Sequence, residues 1–310
     1  MSANILIVGA GAIGGFYGAL LAKAGCKVSV VCRSDYRIVS TQGIEIDSFS
    51  LGRWTFRPSQ VLQHSREYKG DPDFLILCCK VVPSVDRAAL LQGAVANKTA
   101  LVLLQNGVEI EWELQQAFPD NELISGLAFV CCNRTAPGKI EHLAYGRLAL
   151  GSFPAGLSPA TERLKNMFNL AGMECVSSNN IVADRWQKCV WNAPFNPLSV
   201  LSGGLSTAEI LAMQEALVRR IMQEVCGLAE ALGYPMPEHC VEYNIEKTRR
   251  MPPYKTSMLL DFERGQPMET EAILGNAVRA AKRRNIACPS LQTLYELMCL
   301  REQGQHKIKT

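Results

Sequence analysis

Three side chains recurring at helical spacing carry the strongest chemical signal in the chain. In the segment Asp184-Arg185-Trp186-Gln187-Lys188-Cys189-Val190-Trp191-Asn192-Ala193-Pro194-Phe195-Asn196-Pro197, Lys188, Asn192 and Asn196 stand four residues apart. On a helix that spacing stacks all three on one face, while Val190, Trp191 and Phe195 turn toward apolar packing. An ammonium held on such a face could stabilise nearby negative charge or give up a proton. A plainer reading stands beside this one. Lys188 could be a solvated surface lysine, and the asparagines could be helix-end residues near Pro194 and Pro197, prolines that free carbonyls and kink a helix.

A second chemical signal lies at the start of the chain. Gly9-Ala10-Gly11-Ala12-Ile13-Gly14 fits the G-x-G-x-x-G fingerprint, directly after the apolar run Ile5–Val8 and before a helical pattern through Phe16, Leu20 and Leu21 that Gly25 ends. In that setting the first glycine allows the tight turn, the second lets a pyrophosphate approach the backbone, and the third permits close helix packing. Arg33-Ser34 follows the next strand, where binders of NAD usually place an acid for the ribose 2′-hydroxyl. A guanidinium and a hydroxyl suit a 2′-phosphate, so NADP is the favoured cofactor. Asp35 competes with that reading, unless it caps the following helix as a solvated side chain.

The elements that must position these residues are of two kinds. From Asn4 to about Gly151, short apolar runs alternate with amphipathic stretches, the pattern of a parallel sheet with crossover helices. Strands are predicted at Asn4–Val8, Lys27–Val31, Phe74–Cys78, Ala100–Leu103 and Leu123–Cys131, with a hairpin of Gly43–Asp47 and Arg53–Arg57 and a second strand pair, Gly138–His142 and Arg147–Gly151, turned at Ala144–Gly146. A helix at Pro159–Ala171 and a short strand at Met173–Ser177 complete this part. From Ile181 onward the pattern is helical, broken at Gly203-Gly204, Gly233–Pro237 and Met251-Pro252-Pro253. The expected architecture is therefore α/β: an N-terminal Rossmann-type doubly wound sheet over residues 1–178 and a C-terminal all-helical domain over 179–310. The polar tail after about Glu302 is expected to be loose.

Composition narrows the function classes. The 310 residues are 48% hydrophobic and 20% charged, with a net charge of +3 and basic residues scattered along the chain. That balance gives little support for nucleic-acid binding and suits a small anionic substrate. Twelve cysteines show no metal-ligand or redox spacing, and the adjacent pairs Cys78-Cys79 and Cys131-Cys132 sit in strands where neighbours face apart, so no metal is expected and a reducing, cytoplasmic setting is favoured. No apolar stretch is long enough to span a membrane. Residues 207–232 read as a long helix, apolar on more than one side, that could be domain core or a homodimer contact.

The helical segment at 188–196 resembles the Lys-x-x-x-Asn-x-x-x-Asn-Pro-Leu signature of ketopantoate reductases. Other marks of that family stand in order: the glycine fingerprint with Arg33, Lys80 after the Cys78-Cys79 strand end, Gln105-Asn106-Gly107-Val108, Pro137-Gly138 before a strand, and Ser257-Met258-Leu259 to Asp261 ahead of Glu269 and Gly275. The resemblance implies NADPH-dependent reduction of 2-dehydropantoate to pantoate, as in pantothenate and coenzyme A biosynthesis. It implies Lys188 as general acid, with Asn192, Asn196 and Ser257 holding the keto acid and Glu269 facing the substrate oxygen and cofactor. Lys80 and Asn106 would meet the nicotinamide ribose side, Asn106 within reach of the substrate. On their own, Lys80 could be a solvated strand-end residue and Asn106-Gly107 a turn pair. Two positions depart from the family: Ser206 replaces a substrate-contacting asparagine of some members, and Pro194 falls between the two helix asparagines.

Histidine is the usual acid of dehydrogenases, but none of His64, His142, His239 and His306 sits in a convincing site, which strengthens the lysine assignment. Two rival readings are a related reductase or dehydrogenase of another 2-keto or hydroxy acid, and a non-catalytic NADPH-binding sensor.

Overall fold

The computed structural model describes residues 2–309, with side chains through 305. The chain divides into two compact units, one of Met1–Cys79, Asp86–Gln105 and Glu111–Ile181, the other of Lys80–Val85, Asn106–Ile110 and Val182–Thr310. The segments following two central strands thus belong with the helical unit.

The first unit is built on a ten-stranded sheet. Its elements in chain order are β1 (Asn4–Val8), α1 (Ala12–Lys23), β2 (Lys27–Val31), α2 (Tyr36–Gln42), β3 (Ile44–Ser48), β4 (Gly52–Phe56), β5 (Val61–Leu62), β6 (Phe74–Leu77), α3 (Arg87–Leu91), β7 (Ala100–Leu104), α4 (Trp112–Ala117), β8 (Leu123–Ala136), β9 (Lys139–Ser152), α5 (Pro159–Leu170) and β10 (Cys175–Ser177). Strand order is β4-β3-β9-β8-β7-β6-β1-β2-β5, with β10 beside β9. All pairings are parallel except β3–β4 and β8–β9. The chain leaves β1 toward β2 on one side and returns to β6 on the other, which makes the gap between β1 and β6 the switch point where such sheets take ligands. Four of five residues in β1 and β2, and all of those in β6 and β7, are buried, as strands covered on both faces must be. Phe16, Tyr17 and Leu20 of α1 fill the core against them, with the Tyr17 hydroxyl donating to the Gly146 carbonyl at 3.0 Å.

The expected strand pair turned at Ala144–Gly146 is instead one strand, β9, running antiparallel to β8, each of 14 residues. Tyr145 and Gly146 do take positive φ (61° and 128°), but the register shift between Phe129 and Val130 leaves Gly146 as the extra residue of a bulge, which bends a strand without ending it. The short β5 carries no signal of its own beyond two apolar residues.

The second unit is helical: α6 (Ile181–Leu201), α7 (Thr207–Ala231), α8 (Cys240–Arg250), α9 (Ser257–Glu263), α10 (Asn276–Arg284) and α11 (Pro289–Lys309), with a π-helical turn, Glu271–Gly275, leading into α10. The helix α6 runs through Pro194 and Pro197, which leaves the carbonyls of Val190 and Ala193 without helix partners. A single non-helical residue, Gln214, kinks α7. The segment after Glu302, expected to be loose, continues α11 to Lys309. Among the described residues no helix is long and apolar enough to cross a membrane.

Candidate active site

Two chemical centres emerge, one in each unit. In the first, β1 ends at Val8 and the chain must reverse into α1 within four residues. Gly9 does so at φ +97°, and a Cβ there would lie 2.7 Å from the Cys79 amide nitrogen beyond β6. Gly14 is equally confined, its Cβ position 2.2 Å from the Gly9 carbonyl oxygen and 2.9 Å from Ile7 Cγ2. Gly11 differs: nothing lies within 4 Å of its Cβ position. The amides of Gly9 and Ala10 donate to the Val31 carbonyl at 3.1 and 3.3 Å. Those of Ala12, Ile13 and Gly14 open α1, where the helix itself supplies no acceptor. Open space at Gly11 beside helix amides is what a pyrophosphate needs, so the residues present fit a dinucleotide.

At the end of β2, Arg33 and Ser34 are exposed. Asp35 is not the solvated cap that its place before α2 suggests: it is 4% exposed and makes no side-chain cap. Its Oδ1 accepts from Arg134 Nη1 at 2.5 Å and the Ser34 hydroxyl at 2.8 Å, and its Oδ2 from the Gly138 amide at 3.0 Å. Two of these partners, Arg134 and Gly138, come from the β8–β9 hairpin, 99 and 103 residues along the chain.

In the second unit, α6 presents Lys188, whose Nζ donates to Asn106 Oδ1 at 2.8 Å; Asn106 Nδ2 donates to Glu269 Oε2 at 3.2 Å, and Glu269 Oε1 accepts the Val81 amide at 3.1 Å. An ammonium has donors only and a carboxylate acceptors only, so the Asn106 amide can face them in one orientation. A neutral amide thus stands between opposite charges. Burial, helped by the Arg185 guanidinium one turn away and opposed by Glu269, lowers the Lys188 pKa to about 8. Burial also raises Glu269, against the hydrogen bonds from Val81 and Asn106.

Backbone contacts hold Asn106 in place. Gly107 adopts φ +105°, and a Cβ there would lie 2.6 Å from both Ala272 Cβ and its carbonyl oxygen. The Val108 amide donates to the same Ala272 carbonyl at 3.0 Å, Asn276 donates to the Val108 carbonyl at 2.7 Å, and Arg185 Nη1 to the Gly107 carbonyl at 3.1 Å. The π-helical turn carrying Ala272 lies two residues past Glu269, a placement such turns often have at functional sites.

The remaining predicted residues fall in varied places. Asn192 and Asn196 are 8% and 2% exposed, and among the described residues neither side-chain amide has a hydrogen-bond partner. Ser257 is exposed at the start of α9; the preceding Thr256 is tied to α6 through the Ser199 hydroxyl at 2.6 Å. Lys80 does not join the Lys188 chain. Its ammonium pairs with Asp261 at 2.6 Å and donates to the Pro267 carbonyl at 3.0 Å. Ser206 is a helix cap, forming a reciprocal capping box with Glu209 at the start of α7.

Sequence reasoning gave no role to Arg185 or Asp261. Arg185, 2% exposed, had a visible signal, a second cation three residues before Lys188 on the same helix face; Asp261 had none, since its partner is 181 residues earlier in sequence. Of the histidines, His142 is a packing residue, 1% exposed, bonded to Ser48 Oγ at 2.8 Å and the Tyr145 carbonyl at 2.9 Å. His64 and His239 are exposed, and the His306 side chain lies outside the described residues.

The family models for ketopantoate reductase PanE/ApbA and for its C-terminal part match residues 5–155 and 180–302. The chain belongs to the ketopantoate reductase family. A 2-dehydropantoate 2-reductase of a Nostoc species is 34% identical over 297 residues, covering 93% of this chain and 92% of that one. The solved 2-dehydropantoate 2-reductase of Methylococcus capsulatus is 57% identical, with a TM-score of 0.94 over 97% of each chain. A D-mandelate dehydrogenase solved with NADH and anilino(oxo)acetate, at 21% identity and a TM-score of 0.87 over 97% of this chain and 99% of its own, shares the fold. Family membership makes the chain an oxidoreductase.

Proposed function

We propose that the protein reduces 2-dehydropantoate to pantoate with NADPH, a step of pantothenate and coenzyme A biosynthesis. The reading is carried by the hydrogen-bonded chain Lys188–Asn106–Glu269, whose lysine stands on a helix that also carries two buried amides with no partner among the described residues. Reduced nicotinamide, when bound, supplies the hydride. The glycine turn at 9–14 offers backbone amides and open space to the pyrophosphate, and Arg33 offers a guanidinium to the 2′-phosphate.

As the ketone carbon gains the hydride, its oxygen gains charge and needs a donor. The Lys188 ammonium stabilises that charge and gives up its proton, a transfer eased by a pKa of about 8, well below an ordinary lysine. Asn106 and Glu269 fix where the ammonium points, and Glu269 faces the substrate oxygen and cofactor. Asn192, Asn196 and Ser257 hold the keto acid, with the two amides as donors to its carboxylate. Lys80 meets the ribose side of the nicotinamide once its ammonium exchanges a protein partner for a hydroxyl.

Steady-state NADPH oxidation tests the assignment. A kcat/KM for 2-dehydropantoate at least about tenfold above those for pyruvate and oxaloacetate is expected; a smaller preference would point to another 2-keto acid.

A further inference from the structure

We infer that Arg134 is a cofactor-specificity residue: a second guanidinium that, beside Arg33 and Ser34, receives the adenosine 2′-phosphate, with Asp35 serving as the buried anion that orients it. The inference rests on the NADPH reading above and goes beyond it by assigning two residues from distant parts of the chain. An acid just past β2 ordinarily accepts from a ribose 2′-hydroxyl and repels a phosphate. Asp35 stands at that place, yet it is 4% exposed and both its oxygens are engaged, Oδ1 by Arg134 and Ser34 and Oδ2 by the Gly138 amide. Its charge is turned inward and cancelled.

Arg134 is differently placed. Its side chain is 39% exposed, and Nη1 serves both Asp35 at 2.5 Å and Ser34 Oγ at 2.9 Å. Among the described residues its Nε and Nη2 donors have no protein partner, which leaves one edge of a planar fork matched to phosphate oxygens. The Ser34 hydroxyl, accepting from Arg134 and donating to Asp35, ties the guanidinium to the residue that follows Arg33 in the chain. The bulged β8 brings Arg134 there by bending over the dinucleotide turn, as Cys132 Sγ lies 3.6 Å from the Ala12 carbonyl oxygen. Two arginines against one buried aspartate leave a net positive charge where the extra phosphate of NADPH would sit.

The test compares binding of adenosine 2′,5′-bisphosphate with that of 5′-AMP by calorimetry, in the wild type, Arg134→Ala and Arg134→Lys, together with the NADPH to NADH ratio of kcat/KM. The wild type should favour the bisphosphate. Arg134→Ala should cut that advantage, and the cofactor ratio, by about tenfold or more, the worth of a charge-assisted hydrogen bond; Arg134→Lys should keep part of both. If Arg134→Ala does not fold because Asp35 is left buried and unpaired, Arg134→Ala combined with Asp35→Asn removes both charges and should show the same loss. An unchanged advantage, or equal weakening of both ligands, would mean that Arg134 only satisfies Asp35. No bisphosphate preference in the wild type would overturn the NADPH reading itself.

Discussion

The two chemical centres of this protein are built from different materials. The glycine turn at 9–14 is made of backbone: one left-handed φ, helix amides and the absence of side chains, all within six consecutive residues. The Lys188 centre is made of side chains from segments 82 and 163 residues apart, joined by hydrogen bonds through a single amide. Backbone sites depend on space, so added volume should break them whatever its polarity. Side-chain sites depend on proton inventory and charge, so they should respond to changes that hardly alter volume.

The largest expected effect is on the side-chain centre. Lys188→Ala should lower kcat by about 10²–10⁴ while the NADPH dissociation constant, read by fluorescence titration, stays within about threefold; equal losses in both would erase the contrast between the centres. Gly14→Ala should do the reverse, because its Cβ would meet the Gly9 carbonyl oxygen at 2.2 Å. The turn must shift, and at about 1–3 kcal/mol for overpacking NADPH affinity should fall about 10–100-fold; wild-type affinity in a folded variant would show that the turn is not the cofactor site. Asn106→Ala removes the acceptor of Lys188 and a donor to Glu269, and should cost about tenfold in kcat. Ser257→Ala should give the smallest change, a rise in KM for the keto acid of roughly two- to tenfold, and an unaltered KM would remove Ser257 from the substrate contacts.

The sequence was most readable where structure is local. The glycine turn follows from three glycines between an apolar strand and a helix, and the common face of Lys188, Asn192 and Asn196 follows from a four-residue repeat that survives two prolines. Distant pairing was the obstacle. Asp35 reads from sequence as an acid opposed to NADP or as a solvated cap because Arg134 and Gly138 lie about a hundred residues away, and Lys80 reads as a ribose contact or a solvated strand-end residue because Asp261 is in another segment. Tyr145-Gly146 looked like a turn because positive φ serves a bulge as well as a reversal, and only the pairing partner decides between them. The Lys188–Asn106–Glu269 chain itself left no local trace, since Lys188 and Asn106 taken alone have ordinary explanations as a surface lysine and a turn asparagine, and Glu269 is 163 residues from Asn106.

The central claim is that a lysine with a lowered pKa protonates the ketone oxygen, and the pH dependence of kcat/KM for 2-dehydropantoate reduction reads it directly. Because the ammonium is the active form, the rate should be level below a midpoint of about 8 and fall with rising pH above it. A profile that stays flat to about pH 10, where an ordinary lysine still carries its proton, would contradict the account.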